Sequence, residues 1–207
     1  MTDPRAQAGW IEAWRALGVA APGGLHERLL AAWSEPQRHY HTLQHLAECL
    51  DLAEELRQEM AHPAEVVLAL WFHDAVYDVR AHDNEARSAQ WAAQALRDTG
   101  VSAEARERVD GLIMATCHGA ADAPPASPDS AVLLDIDLAI LGAPEPRFAE
   151  YEAQIRAEYA WVPPDVFTVK RREVLRSFLE RERIYATDTM HLRFEAQARR
   201  NLARAVG

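Results

Sequence analysis

The sequence predicts an all-α protein: one helical domain over residues 1–207, of about eight to ten helices, with a core at about 38–185 and terminal helices packed on it. Three observations lead there. Apolar residues recur at helical spacing along most of the chain, and Pro63, Gly100 and Gly142 punctuate the segments as helix starts and stops do. The one run whose composition suits a strand, 131–141, has no second strand-like segment to pair with, so it reads as a buried helix.

In order, Trp10, Ile11, Trp14 and Leu17 mark a first short helix before Gly18, and Leu25, Leu29, Leu30 and Trp33 a second before Pro36. Leu43, Leu46, Leu50, Ala53 and Leu56 line one face of a longer helix from about Thr42 to Met60. Pro63 opens the next, which is expected to carry His73 and Asp74 near its end. Segments from Asn84 to about Asp98 and from Ser102 to about Cys117 follow, and 120–128 is the clearest loop. After the buried 130–141 helix come three more, near 144–159, 164–183 and 189–205.

Composition narrows the function classes. A hydrophobic content of 49% with 26% charged residues is ordinary for a globular domain, and no apolar run approaches the ~18 residues that span a bilayer. The N-terminus lacks the basic start and apolar run of a secretory signal, and two cysteines, Cys49 and Cys117, suggest no disulfide framework; the expected location is the cytoplasm. The net charge of −10 divides into +5 from Lys170 onward and −15 before it. An acidic body argues against general nucleic-acid binding.

The chemistry concentrates in a few places. His73 and Asp74 follow the seven apolar residues 66–72, and an unpartnered buried carboxylate costs several kcal/mol or more, so something must compensate that charge. A cation side chain, a network of donors or a metal ion would do so, and His plus Asp offers a divalent ion one nitrogen and one oxygen. Upstream, His41 and His45 lie one helical turn apart in 38–45, and His45 continues into an amphipathic helix that can aim it inward. Downstream, Asp135 and Asp137 sit in the apolar run 133–141; residues i and i+2 point about 200° apart on a helix, so the two are not expected to face one site.

The order H…HD…D on helices, with R38-H-Y-H-T-L-Q-H45, W71-F-H-D-A-V-Y-D78, N84-E-A-R-S-A89 and L134-D-I-D-L-A-I-L-G142, resembles the HD-domain superfamily of metal-dependent phosphohydrolases, in particular a bacterial branch of about this length. The resemblance covers about residues 38–185. It implies His45, His73, Asp74 and Asp137 as metal ligands, Asp137 being preferred to Asp135 because in the family the distal aspartate precedes a leucine. Two imidazoles and two carboxylates suit one six-coordinate divalent ion such as Mn, Fe, Ni, Co or Mg, with positions left for water or substrate oxygens. A water acidified there can attack a phosphoester while the ion withdraws charge from phosphorus-bound oxygen.

Orientation of the phosphate and proton transfer remain for Arg38, His41, Asp78, Glu85 and His118. Arg38 is expected to clamp phosphate, and Asp78 or His118 to assist proton transfer; Asp78 would share the face of Asp74 if the helix persisted to it. Helix capping explains Asn84 and Glu85 as readily as a role in the site. His26, His39, His62, His82 and His191 carry no such context and are expected at the surface. The partner implied is a small phosphorylated metabolite, a nucleotide or other phosphomonoester, with no nucleic acid or membrane and with a homodimer left open. Two other readings compete: a di-iron oxygenase, which needs two further histidines where only His82 and His118 stand, and a non-catalytic module braced by its metal or sensing a ligand.

Overall fold

The computed structural model describes residues 4–117 and 125–207, and every element among them is helical. They divide into two compact units, 1–133 and 134–207, the boundary falling inside a helix. Among the described residues no helix is long and apolar enough to cross a membrane.

The first unit is organised around one helix. α1 (Pro4–Ala16), α2 (Leu25–Ala32), α3 (Leu43–Glu55), α4 (Pro63–Phe72), α5 (Asn84–Asp98) and α6 (Ala103–Ala115) follow in order, and α1, α3, α5 and α6 all pack on α4. The reason lies in α4 itself. Val66, Leu68, Ala69, Leu70, Trp71 and Phe72 are all buried, so it shows no polar face and is enclosed on every side, as a helix apolar all round must be. Its one buried acid, Glu65, receives a bidentate pair from Arg108 on α6 at 2.7 Å for both bonds. Around Trp71 gathers an aromatic cluster: Trp10 at 5.3 Å and His26 at 5.1 Å between ring centroids, with Trp14 edge-on to Trp10.

Helix ends depart from expectation where local bonding wins over apolar spacing. The helix expected over 42–60 stops at Glu55 and continues, after Leu56, as a 3₁₀ turn at Arg57–Glu59. α4 stops at Phe72, one residue before the doublet. His26 is a correction: it is buried in the aromatic cluster, 8% exposed, because it lies on the inner face of α2 beside Leu25 and Leu29.

The chain crosses into the second unit along α7 (Pro128–Asp137). There the apolar run tightens into a 3₁₀ segment, Leu138–Gly142, followed by α8 (Glu145–Glu158), α9 (Pro164–Leu179) and α10 (Asp188–Val206). α10 packs on both the 3₁₀ segment and α9. Glycine at 142 is required by close approach: a Cβ there would stand 2.7 Å from the Phe194 Cβ and 2.8 Å from its carbonyl oxygen. Tyr185 donates its hydroxyl to the Leu138 carbonyl, and Asn201 donates to those of Leu141 and Ala143, so side chains satisfy carbonyls at both ends of the 3₁₀ segment.

Candidate metal centre

Thr42 starts α3 by accepting the Gln44 N–H on its hydroxyl, and this cap sets His45 into the first turn facing inward, 2% exposed. His73 is the C-cap of α4, and its N–H still bonds back to the Ala69 carbonyl. Its ring Nδ1 lies 2.8 Å from the Leu70 carbonyl, which only accepts, so Nδ1 carries a proton and the neutral ring has its lone pair on Nε2. Fixing a ring through its second nitrogen to a backbone carbonyl is how metal-binding histidines are oriented. His45 is also anchored at Nδ1, by the Tyr40 hydroxyl at 3.1 Å, a group that can donate or accept.

The two imidazoles therefore aim their Nε2 atoms at each other, 3.3 Å apart. Asp74 Oδ2 joins them at 3.2 Å from His73 Nε2 and 4.0 Å from His45 Nε2. All three separations lie below about 4.2 Å, the widest that two donors on a common ion can stand when each bond is about 2.1 Å. The set is thus compact enough to hold one divalent cation, and the mixture of two imidazole nitrogens with one carboxylate oxygen is suited to it. Below the rings, Trp33 packs at 5.5 Å from His73 and 6.2 Å from His45, and its indole N–H is spent on the Trp71 carbonyl. Of the three residues, Asp74 is the exposed one, at 16% of its side chain against 2% for His45 and 1% for His73.

Arg38 does not clamp a phosphate here, a correction to the sequence expectation. Its side chain is fully buried, lies over the rings of Trp33 and Tyr77, and spends its donors within the protein: Nε to Glu35, Nη1 to the carbonyls of His41 and Asp74, Nη2 to that of Ala75. It ties the segment before α3 to the segment after α4, and so sets the distance between the two halves of the site.

Asp78 is also displaced from its expected place. Because α4 ends at Phe72, residue 78 is not one turn beyond Asp74 on a shared face but exposed in a loop, where it accepts the Arg80 N–H while its own backbone pairs with the Asn84 amide. Glu85 stands in the first turn of α5, where helix formation explains it. His118 lies outside the described residues. Cys49, one turn after His45 and buried, places its Sγ 3.6 Å from His45 Nδ1; nothing but the i, i+4 spacing marked it in the sequence.

In the second unit the two aspartates of the apolar run separate as their spacing predicts. Asp135 is buried and saturated: Oδ1 accepts the Ala186 N–H, and Oδ2 accepts both the N–H and the hydroxyl of Thr187, each at 2.7 Å. Burial pushes its carboxyl above the usual range, against the pull of those donors. Asp137 closes α7, only partly buried, among a group that includes Tyr151, Glu152 and Arg171. Burial pushes the Tyr151 hydroxyl up and Arg171 opposes it, with the charges of Glu152 and Asp137 adding to the rise. Comparison with family models, curated proteins and solved structures returns no match, so the functional reading stands on these residues alone.

Proposed function

We propose that the chain is a metal-dependent phosphohydrolase of the HD type acting on a small phosphorylated metabolite, and that the cation sits at His45, His73 and Asp74 in the first unit. The observation that supports this best is the pair of Nε2 atoms 3.3 Å apart beside a carboxylate oxygen, with the His73 tautomer fixed by the Leu70 carbonyl. The order of these residues in the sequence nominates Asp137 as a further ligand. A divalent ion bound there supplies Lewis acidity and an acidified water, the two things phosphoester hydrolysis needs from a metal. The protein's part is to orient the imidazoles through Tyr40 and Leu70, to exclude water below them with Trp33, and to leave Asp74 at the accessible edge.

The test is metal analysis of protein purified without chelator, followed by a phosphoester screen with Mn²⁺, Co²⁺, Ni²⁺ and Mg²⁺. About one ion per chain and metal-dependent release of phosphate are expected. A metal-loaded protein that hydrolyses no phosphoester but consumes O₂ with an iron-dependent substrate would be an oxygenase instead.

A further inference from the structure

Three imidazoles, not two, surround Asp74 Oδ2. His41 Nε2 stands 4.0 Å from it, as far as His45 Nε2 does. The three differ in access. The His45 and His73 side chains are 2% and 1% exposed, whereas His41 and Asp74 are 18% and 16% exposed. Any molecule that reaches the cluster therefore meets His41 and Asp74 first.

His41 is also rigidly placed. Its ring stacks on Tyr77, with centroids 4.0 Å apart and planes at 26°, and Tyr40 meets it edge-on at 4.9 Å. Its backbone carbonyl and that of Asp74 share one guanidinium nitrogen of Arg38, at 3.3 and 2.6 Å, so the gap between the two residues is held from behind. At 4.0 Å the imidazole stands beside the carboxylate rather than on it, since hydrogen bonds of this kind run to about 3.2 Å. With the Arg38 guanidinium turned to Glu35 and three carbonyls, His41 brings a ring nitrogen to the more exposed side of the cluster.

We propose that His41 is the phosphate-recognising residue, donating its ring N–H to a phosphoryl oxygen of the substrate, with Tyr77 as the plate that orients it. This rests on the hydrolase reading above, and the experiment separates the two. Calorimetric titration of inorganic phosphate into Mn²⁺-loaded protein is expected to show binding that His41→Ala weakens about tenfold or more, the loss of one charge-assisted hydrogen bond, with Mn²⁺ stoichiometry unchanged. His41→Gln, which keeps an N–H donor, recovers part of the loss, and Tyr77→Leu weakens phosphate in the same direction. Unchanged phosphate affinity in His41→Ala, loss of Mn²⁺ from it, or no phosphate binding by the parent overturns the proposal. Turnover that is indifferent to His41 overturns this inference and leaves the hydrolase. Phosphate binding controlled by His41 in a protein that turns over no phosphoester leaves the inference and removes the hydrolase.

Discussion

Asp74 in the first unit and Asp135 in the second have the same signature in the sequence, a carboxylate against an apolar run, and opposite surroundings in the structure. Asp135 meets two backbone N–H groups and a hydroxyl, all at 2.7 Å, and so holds the chain that enters α10. Asp74 Oδ2 has three imidazole nitrogens within 4.0 Å, two of them on buried rings and one on a ring anchored to a carbonyl through its other nitrogen. Asp129, at the start of α7, belongs with Asp135: it accepts the N–H groups of Ala61 and His62 at 2.7 and 3.0 Å, and its Oδ2 also lies 3.0 Å from the His62 ring Nδ1. A carboxylate that meets two backbone donors acts as a cap; one with several imidazole nitrogens around a single oxygen can share a cation with them.

The comparison breaks most sharply on metal content. Asp74→Ala is expected to lower bound metal from about one ion per chain to near none, and Asp137→Asn to lower it too if the sequence order has nominated the right ligand. Asp135→Asn is expected to keep the metal and lose about 2–4 kcal/mol of stability, because an amide nitrogen then faces donors that had an acceptor. Elemental analysis and denaturant unfolding of the three variants measure both. A metal-free Asp135→Asn that unfolds like the parent would reverse the assignment.

A smaller effect is expected at Arg38. Arg38→Lys keeps the charge but cannot reach Glu35 and three carbonyls at once, so metal affinity should fall about 10–100-fold, the usual cost of disturbing what orients a ligand. Competition with a fluorescent chelator reads this directly. A phosphate clamp would instead leave metal affinity intact and weaken only phosphate.

The smallest effect concerns pH. His26 is buried with Nε2 lacking a hydrogen-bond partner among the described residues, and burial lowers its pKa below the ordinary 6.5, with nearby Glu27 opposing. The folded chain then resists a proton that the unfolded chain accepts. Stability is thus present above pH 6.5 and declines as pH falls below it. Urea unfolding at pH 8 and pH 5 should show the decline, and His26→Phe, which keeps a ring against Trp10 and Trp71, should flatten it. An identical slope in that variant would place the pH dependence elsewhere.

How much of this was legible in the sequence follows from what each inference used. Helix existence was legible because apolar spacing reports burial, and Asn84 to Asp98 matches to the residue. The doublet His73 and Asp74 was legible because polar groups in apolar runs need partners, and its grouping with His45 came from the family resemblance. Arg38 and Asp78 were not, for a shared reason: both expectations depended on where the backbone turned. An exit from α4 at Phe72 carries Asp78 away, and it exposes the carbonyls of Asp74 and Ala75 that then capture Arg38. A spacing rule assumes a continuing helix and is silent about main-chain acceptors released when one stops. His26 was missed because a single histidine between Leu25 and Leu29 carries no sign of which face it takes.

The grip of Arg38 on main-chain oxygens has a consequence for how this site can vary. Those carbonyls belong to residues 41, 74 and 75 whatever side chains these positions carry. Scaffold and chemistry are therefore encoded separately: a substitution at 41 alters what meets the incoming molecule while the span between the two segments is kept, and a substitution at 38 alters the span while every reacting group is retained. A site divided in this way can vary at its rim by single steps, and it is vulnerable at one buried arginine whose bonds run to its own chain.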